Sequence, residues 1–265
     1  MDKYVFITNA NSQVGNDLVK KFISENYIVL AGDIGYENKK FGNLIYVNLD
    51  TASYKSLDFA KKYIQKYTSK ISAIIHLGNY QSFTPLIEAR EEEILKSIED
   101  NFMSAFRTNQ MLWDLLEVRN GKIIHDCSDV SLYNLMPFNG LYSITKSLLK
   151  NYNDVLRREL KNKAINVIRI HTGIIKNEGY DKLIDLYHNE SEKSKLFFGE
   201  MSRFFGINIP KDETITSFEY SEFIVGIVNT KFPKQAYYFK CSKKLKFIDR
   251  LPRAIRNMYL KNYQK

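Results

Sequence analysis

Short apolar runs rich in β-branched residues alternate with helical stretches over the first two-thirds of the chain, and this alternation restricts the fold more than any other feature. The apolar runs predict buried strands at Tyr4–Thr8, Ile28–Ala31, Leu44–Asn48, Ser72–Leu77, Lys122–Asp126 and Asn166–His171. The helical stretches between them include Val14–Asn26, Tyr54–Tyr67, Ile94–Glu117 and Tyr142–Leu160. This order predicts an α/β fold with a doubly wound parallel sheet. Such a sheet binds ligands at the carboxyl ends of its strands.

The size and composition of the chain favour a single domain over residues 1–265. With 265 residues, of which 44% are apolar, the chain can bury one large core. Its two cysteines are too few for a disulfide framework. The sequence shows no signal peptide, and no apolar run reaches the roughly 18–20 residues of a membrane span. We therefore expect a cytoplasmic protein.

The charge is distributed unevenly along the chain. Residues 231–265 hold eleven of the 39 basic residues and one of the 30 acidic residues, so this segment carries +10 and the other 230 residues carry −1. The neutral body argues against nucleic-acid binding, whereas the basic C-terminal tail suits an anionic partner.

The tail also has a basic amphipathic pattern from Phe247 to Lys261. Its apolar residues fall on one arc of a helical wheel and its arginines on the opposite side. Because Pro252 disfavours a helix interior, we expect the helix to begin near it. Two interpretations stay open: the apolar arc packs on the protein or on a partner subunit, or the helix makes a peripheral contact with an anionic membrane.

Residues 177–215 follow the last predicted strand and have weak periodicity with many Lys, Glu and Ser residues. Their position after that strand predicts a substrate lid over the ligand-binding edge of the sheet. The alternative is an ordinary solvated loop and helix pair.

The first predicted strand leads directly into a turn and a helix N-terminus. Free backbone N–H groups and the helix dipole make such a junction a cradle for a pyrophosphate. Turns of this kind usually carry three glycines, and only Gly15 is present here, although Asn9 is suited to a left-handed conformation. The junction predicts cofactor contacts from Thr8, Asn9, Asn11, Ser12, Gln13, Val14 and Gly15.

Asp33 follows the second predicted strand, 18 residues after Gly15. A carboxylate at this position can accept hydrogen bonds from the ribose hydroxyls of NAD. It would repel a 2′-phosphate, and neither neighbour of Asp33 supplies a cation. The sequence therefore predicts a Rossmann-type nucleotide site that prefers NAD(H) over NADP(H).

Tyr142 and Lys146 place a phenol and an ammonium four residues apart, on one face of a predicted helix. A neighbouring cation favours the phenolate and is expected to lower the tyrosine pKa. A second pair with this spacing, Tyr36 and Lys40, falls in a predicted loop, so the spacing alone is weak evidence. Ser128 distinguishes the first pair, because it follows a predicted strand fourteen residues before Tyr142.

With Asn101 in the preceding helix, this set resembles the Asn–Ser–Tyr–Lys tetrad of the short-chain dehydrogenase/reductase family. The resemblance covers roughly residues 1–175 in order. It implies that Tyr142 is the general acid–base and that Lys146 holds the nicotinamide ribose. It also implies that Ser128 orients the substrate oxygen and that Asn101 helps to hold a proton-relay water.

Further positions match the cofactor-binding pattern of the same family. Asn48-Leu49 stands where the family usually has Asp-Val against the adenine, and Gly78 matches the glycine of its Asn-Asn-Ala-Gly strand end. Thr172-Gly173 matches the Pro-Gly beside the nicotinamide. The resemblance also implies that the helices around Phe102–Trp113 and Ser147–Leu156 pair across a two-fold axis, which predicts a homodimer or higher homo-oligomer.

Three histidines, His76, His125 and His171, lie near the carboxyl ends of predicted strands. Their spacing matches no zinc motif, and no carboxylate cluster accompanies them. Structural histidines with hydrogen-bond partners are the commoner case, so we predict no metal.

The sequence thus favours an NAD(H)-dependent oxidoreductase that interconverts a hydroxyl and a carbonyl group. A small sugar-like or phosphorylated substrate would suit the basic tail. One alternative is a nucleotide-sugar epimerase or dehydratase with tightly bound NAD, although such proteins usually carry a larger C-terminal substrate domain. Another is a non-enzymatic NAD-sensing regulator, which the complete tetrad disfavours.

Overall fold

The computed structural model of the protein describes residues 2–78, 80–132, 137–176, 178–208, 214–252, 254, 255 and 258. Its main sheet consists of β1 (Lys3–Thr8), β2 (Tyr27–Asp33), β3 (Lys39–Phe41), β4 (Leu44–Asn48), β5 (Ala73–His76), β6 (Lys122–Asp126), β7 (Asn166–Thr172) and β10 (Ala236–Phe239). Two short strands, β8 (Ile175–Lys176) and β9 (Ile215–Thr216), pair separately.

The strand order in the main sheet is β10-β7-β6-β5-β1-β2-β4-β3, and every neighbouring pair is parallel except β3–β4. Consecutive side chains of a strand point to opposite faces. In β1, Val5 and Ile7 enter one core and Phe6 enters the other. Both faces are therefore buried, and the predicted Rossmann-type α/β fold is confirmed.

The described helices are α1 (Gln13–Ser24), α2 (Tyr54–Ile64), α3 (Glu91–Ile98), α4 (Ser104–Leu112), α5 (Gly140–Glu159), α6 (Glu178–Lys193), α7 (Phe198–Asn208), α8 (Ser217–Asn229) and α9 (Lys243–Arg250). Helices α1 and α8 cover the face that contains Ile7. Helices α2 and α4 cover the face that contains Phe6. Among the described residues, no helix is long and apolar enough to cross a bilayer.

The predicted continuous helix over Ile94–Glu117 is wrong in its boundaries and in its regularity. Helical structure begins at Glu91 and ends in a 3₁₀ turn at Trp113–Leu115. Between α3 and α4, residues Glu99–Met103 form a π-helical segment. The loop after β5 lies directly against this segment, because a Cβ added at Gly78 would be 2.5 Å from the carbonyl oxygen of Asp100.

The C-terminal region differs from its prediction in two ways. Residues 231–265 contain β10, which pairs in parallel with β7 and ends the main sheet. The chain is helical on both sides of Pro252: Ala254, Ile255 and Met258 are helical after it, near the predicted start, but α9 ends two residues before it, so the earlier residues are helical as well. Large exposed fractions remain at Phe247 (65%) and Met258 (60%), so these side chains do not pack on the body of the protein.

A buried network of histidines and amides joins β5 and β6 to the helices behind them. The Nε2 atom of His76 lies 2.8 Å from Oδ1 of Asn109, and Nδ2 of Asn109 lies 3.0 Å from Nε2 of His125. His76 therefore carries its proton on Nε2, whereas His125 carries its proton on Nδ1, 2.8 Å from the amide of Asn153. Turning that amide so that its oxygen faces His125 also satisfies the oxygen, which otherwise has no partner.

Burial of this network makes the stability of the protein depend on pH. Burial lowers the pKa of His76 to about 4. In the unfolded chain the ordinary value is about 6.5, so acid protonates the unfolded state first. Stability is therefore lost as the pH falls from about 6.5 towards 4.

We expect His76 to destabilise the protein by about 2 kcal/mol at pH 5 relative to pH 7.5. Urea unfolding at both pH values measures this loss. His76→Asn should reduce the difference between the two pH values, whereas His188→Asn, at an exposed histidine, should leave it unchanged. The same pH dependence in wild type and His76→Asn would contradict this account.

Candidate active site

Tyr142 lies in the first turn of α5 and meets Ser128 just beyond the end of β6. The tyrosine side chain is buried, and its hydroxyl forms hydrogen bonds with Ser128 and with Gln81 from the loop after β5. The parallel sheet brings these segments together, because β5 and β6 are neighbours and end at the same edge. The structure thus joins two predicted residues and adds Gln81, which the sequence analysis missed.

Ser128 has a left-handed backbone, with φ of 54°. This conformation is uncommon for residues other than glycine. Two side chains hold it, since the carbonyl oxygen of Ser128 accepts hydrogen bonds from Oγ of Ser131 at 2.9 Å and from Nδ1 of His171 at 3.1 Å. The Ser128 N–H donates to Oδ1 of Asp126 at 3.0 Å. The peptide of Ser128 is therefore fixed on both sides.

Lys146 lies one turn after Tyr142 and is almost completely buried. Its Nζ atom donates to the carbonyl oxygen of Gly78 at 2.6 Å and to that of Asp126 at 2.9 Å. It also lies 5.5 Å from the centre of the Tyr142 ring. Burial lowers the pKa of Lys146, while the nearby Asp126 raises it.

The pKa of Tyr142 differs from its predicted direction. Burial raises it above its ordinary value, and Asp126 raises it further, while the hydrogen bonds from Ser128 and Gln81 lower it. The lowering expected from the nearby lysine is therefore not found, because the desolvation of a buried phenolate raises the pKa by more than the hydrogen bonds of Ser128 and Gln81 lower it. In this state of the site Tyr142 is a protonated phenol, which can donate a proton.

Asn101 lies at the centre of the π-helical segment and is almost completely buried. Its Nδ2 donates to the carbonyl oxygen of Tyr80 at 2.9 Å and to Oγ1 of Thr145 at 3.1 Å. Its Oδ1 accepts a hydrogen bond from the N–H of Tyr80 at 2.8 Å. The side chain therefore joins the loop after β5 to α5, the helix that carries Tyr142.

The predicted pyrophosphate cradle is a tight turn that leads from β1 into the capped N-terminus of α1. Ser12 caps α1 by accepting a hydrogen bond from the N–H of Gly15 at 3.1 Å. Asn9 adopts the left-handed conformation, with φ of 54°, and its Nδ2 donates to the carbonyl oxygen of Leu77. A Cβ at Gly15 would be 2.5 Å from the Asn9 carbonyl oxygen, so a glycine is required there.

The remaining residues predicted for the cradle lie in the same loop and at the start of α1. Asn11 and Gln13 are exposed at the start of α1, Thr8 is buried at the end of β1, and Val14 packs against the core. The cradle thus presents the N-terminus of a twelve-residue helix with no acidic side chain in its first turn. An anionic group can approach it without repulsion from that turn.

Asp33 stands beside this cradle at the end of β2. Its Oδ2 accepts a hydrogen bond from the N–H of Asn11 at 2.9 Å. The N–H of Leu49 donates to the carbonyl oxygen of Asp33 at 3.0 Å, and Asn48 is exposed beside it at the end of β4. Leu49 itself is buried against Gly32. These contacts bring the residues predicted for the adenine and its ribose to one place.

Thr172 ends β7 and Gly173 follows it, at the opposite end of the site. The hydroxyl of Thr172 donates to Oδ1 of Asp126 at 3.0 Å. A Cβ at Gly173 would collide with the carbonyl oxygen of Lys240, so the chain can pass there only with a glycine. Gly78 after β5 and Gly173 after β7 therefore both allow another segment of the backbone to approach closely.

Two acidic residues of the site were missed by the sequence analysis, Asp126 and Asp129. Asp126 contacts Ser128, Thr172 and the hydroxyl of Tyr220. Asp129 is buried, its carboxylate accepts the N–H of Ser242 at 2.9 Å, and burial raises its pKa to about 6. A possible signal was the run Asp126-Cys127-Ser128-Asp129, which places two carboxylates beside the candidate serine.

The segment predicted as a lid contains α6 and α7, which are fastened to the loop after β5. The carboxylate of Glu88 accepts hydrogen bonds from Oγ of Ser194 and from the N–H groups of Lys195 and Leu196, at 2.7 to 3.0 Å. Phe83 and Tyr187 pack edge to face in the apolar cluster beneath these helices.

Comparison with known proteins identifies the family. A family model described as short chain dehydrogenase matches residues 3–185. The NADPH-dependent 3-dehydrocapnine reductase of Ornithobacterium rhinotracheale is 28% identical over 193 residues, 68% of this chain and 68% of that protein. The 3-amino-tetrahydro-pyrrolizinone reductase of Xenorhabdus hominickii is 25% identical over 251 residues, 89% of this chain and 86% of that protein.

Solved structures agree in fold. ElxO with NADP bound has a TM-score of 0.75 at 20% identity, covering 93% of this chain and all of that one. L-sorbose reductase from Gluconobacter frateurii, in complex with NADPH and L-sorbose, has a TM-score of 0.74 at 19% identity, covering 92% of this chain and 97% of that one. At these identities the likeness concerns the fold alone.

Proposed function

This chain belongs to the short-chain dehydrogenase/reductase family, and on that premise we propose that it is an NAD(H)-dependent enzyme that interconverts a hydroxyl and a carbonyl group on a small substrate. The observation that carries the proposal is the hydrogen bond between the hydroxyls of Tyr142 and Ser128, one helical turn from Lys146. Two hydroxyls that meet at one point can both bind the oxygen of a carbonyl or alcohol.

In the direction of reduction, Tyr142 donates its proton to the carbonyl oxygen while Ser128 hydrogen-bonds to the same atom. A bound reduced nicotinamide would supply the hydride to the carbonyl carbon. Lys146 stabilises the phenolate that remains, since its ammonium lies near the Tyr142 ring. Asn101 keeps the Tyr80 loop against α5, and the family resemblance adds a proton-relay water near it.

Asp33 supports the choice of NAD(H). Its carboxylate faces the cradle and, among the described residues, has no ion pair. A 2′-phosphate placed beside it would meet a like charge. Several relatives and structural neighbours are described with NADP or NADPH, so this preference would distinguish the present chain from them.

The segment 177–215, which includes α6 and α7, is the proposed substrate lid. The two helices are anchored through Glu88 to the loop that supplies Gln81 to the site. The substrate we propose is small and sugar-like or phosphorylated. A panel of such carbonyl compounds with NADH, followed by absorbance of the reduced nicotinamide, tests this substrate class.

The basic C-terminal tail combines exposed apolar side chains with many positive charges. Phe247, Ile255 and Met258 are exposed apolar residues in a segment rich in Lys and Arg. This combination supports a peripheral contact with an anionic membrane surface as a proposed property of the tail.

Tyr142→Phe removes the phenolic proton donor and should lower turnover by about 10² or more, while NAD binding persists. Lys146→Ala should reduce both turnover and cofactor binding. Tyr36→Phe is the matched control, because Tyr36 has the same spacing to Lys40 without a Ser128 partner. Steady-state kinetics and cofactor titration measure these effects, and near-normal turnover in Tyr142→Phe would refute the mechanism.

Asp33→Ala should narrow or reverse the preference for NAD(H), because it removes both the ribose acceptor and the like charge. Titration of the wild type and the variant with each cofactor measures the preference. Asp58→Ala, which removes an exposed carboxylate on α2, should leave it unchanged. Tighter binding of NADPH than NADH by the wild type would show that the assignment is wrong.

We also propose that the chain forms at least a homodimer through α4 and α5. Ile144, Leu148 and Val155 on α5 are 38% to 51% exposed, which is unusual for aligned apolar side chains on one helix. Leu148→Arg should lower the mass measured by light scattering at micromolar concentration to that of a monomer. Leu196→Arg, at an exposed apolar residue of the lid segment, should not. A monomeric wild type would exclude the dimer.

A further inference from the structure

The carboxylate of Asp126 lies at the centre of the site, although the tetrad does not include it. It is held by three uncharged donors. Its Oδ1 accepts hydrogen bonds from the N–H of Ser128 and from Oγ1 of Thr172, both at 3.0 Å. Its Oδ2 accepts one from the hydroxyl of Tyr220 at 3.1 Å. A carboxylate is an acceptor-only group, and all three of these partners donate.

No cation pairs directly with this carboxylate within the described part of the chain. Lys146 is the nearest candidate, but its Nζ binds the main-chain oxygens of Asp126 and Gly78. The salt bridges of the described residues do not involve Asp126. The side chain is also partly exposed, at the carboxyl edge of the sheet where ligands bind. Its negative charge therefore acts on whatever occupies that edge.

The neighbours of Asp126 indicate which part of a cofactor that is. Thr172 and Lys146 both contact Asp126, and the family resemblance assigns both to the nicotinamide half of the cofactor. Asp33 and Asn11 are assigned to the other half. Asp33 ends β2 and Asn11 follows β1, and both strands lie beyond β5 in the sheet. Asp126 thus lies in the part of the site assigned to the nicotinamide half of the cofactor.

We propose, on the basis of the proposed function, that the Asp126 carboxylate selects the oxidised form of the nicotinamide over the reduced form. The oxidised ring carries a positive charge and the reduced ring is neutral. A fixed negative charge beside the ring attracts the first and has little effect on the second.

If Asp126 prefers the oxidised ring, it favours one direction of hydride transfer, the reduction of the carbonyl group. In reduction, the hydride with its two electrons leaves the reduced ring for the carbonyl carbon, and the proton passes from Tyr142 to the carbonyl oxygen. The ring that remains is a cation, which Asp126 stabilises. This attraction favours carbonyl reduction within the bound complex, while the equilibrium between free substrates and products is unchanged.

Titration of the full-length protein with NAD⁺ and with NADH, without substrate, tests the proposal. Asp126→Asn keeps the size of the side chain and removes its charge. The dissociation constant for NAD⁺ should rise on the order of tenfold relative to that for NADH, which corresponds to about 1.4 kcal/mol. Asp50→Asn, near the other half of the cofactor site on the same sheet edge, removes the same charge and should leave the ratio unchanged.

Equal weakening of both cofactors in Asp126→Asn would overturn the proposal and leave Asp126 a purely structural role. A second neutral variant, Asp126→Val, places a residue suited to a strand at this position and tests the same charge if the amide variant does not fold. The wild type gives a test without any variant, because it should bind NAD⁺ at least as tightly as NADH, and a clear preference for NADH would overturn the proposal. Failure of the wild type to bind either cofactor would instead refute the proposed function itself, and this inference with it.

Discussion

The double hydrogen bond of Lys146 is the interaction on which the rest of the site depends. A buried ammonium must satisfy its donors, and Lys146 does so with two main-chain oxygens, Gly78 after β5 and Asp126 at the end of β6. It therefore fixes two neighbouring strand ends relative to α5. Tyr142 lies one turn away on the same helix, and Ser128 lies two residues beyond Asp126. Tyr142 and Ser128 therefore come into contact because Lys146 fixes α5 against the ends of β5 and β6.

Much of the fold could be predicted because its signals are local. Buried parallel strands are continuous apolar runs, and two predicted strands, Leu44–Asn48 and Lys122–Asp126, have the observed boundaries. The strand β10 was missed because Ala236–Phe239 is short, lies in a basic segment, and is defined by pairing with a strand some 65 residues earlier in the chain. The π-helical segment was missed for a similar reason. It depends on the contact of Asn101 with the loop of Tyr80, which no helical periodicity records.

The candidate site, like the fold, could be predicted from the sequence only in part. Tyr142, Lys146, Ser128 and Asn101 could be proposed from spacing and order, and the structure places them together, while their roles stay predictions. Gln81 could not be proposed, because its importance lies in a contact made across the sheet edge, and the only sequence signal for Asp126 was its place two residues before Ser128. The direction of the Tyr142 pKa was also wrong, since the sequence shows the neighbouring lysine but not the depth of burial. Electrostatic expectations from sequence fail where desolvation is the largest contribution.

The attachment of α6 and α7 to the loop after β5 has a consequence for how such enzymes diversify. Glu88 grips the connection between the two helices, and the same loop carries Gln81 to Tyr142 and Tyr80 to Asn101. The two helices proposed as a substrate lid are therefore connected through this loop to Tyr142, the proposed proton donor. A chimera that exchanged the two helices with their connection would have to present three donors to the Glu88 carboxylate in the same geometry, as Ser194, Lys195 and Leu196 do here. Residues 80–88 and the two helices form one exchangeable module, and a new specificity grafted onto this scaffold has to bring both.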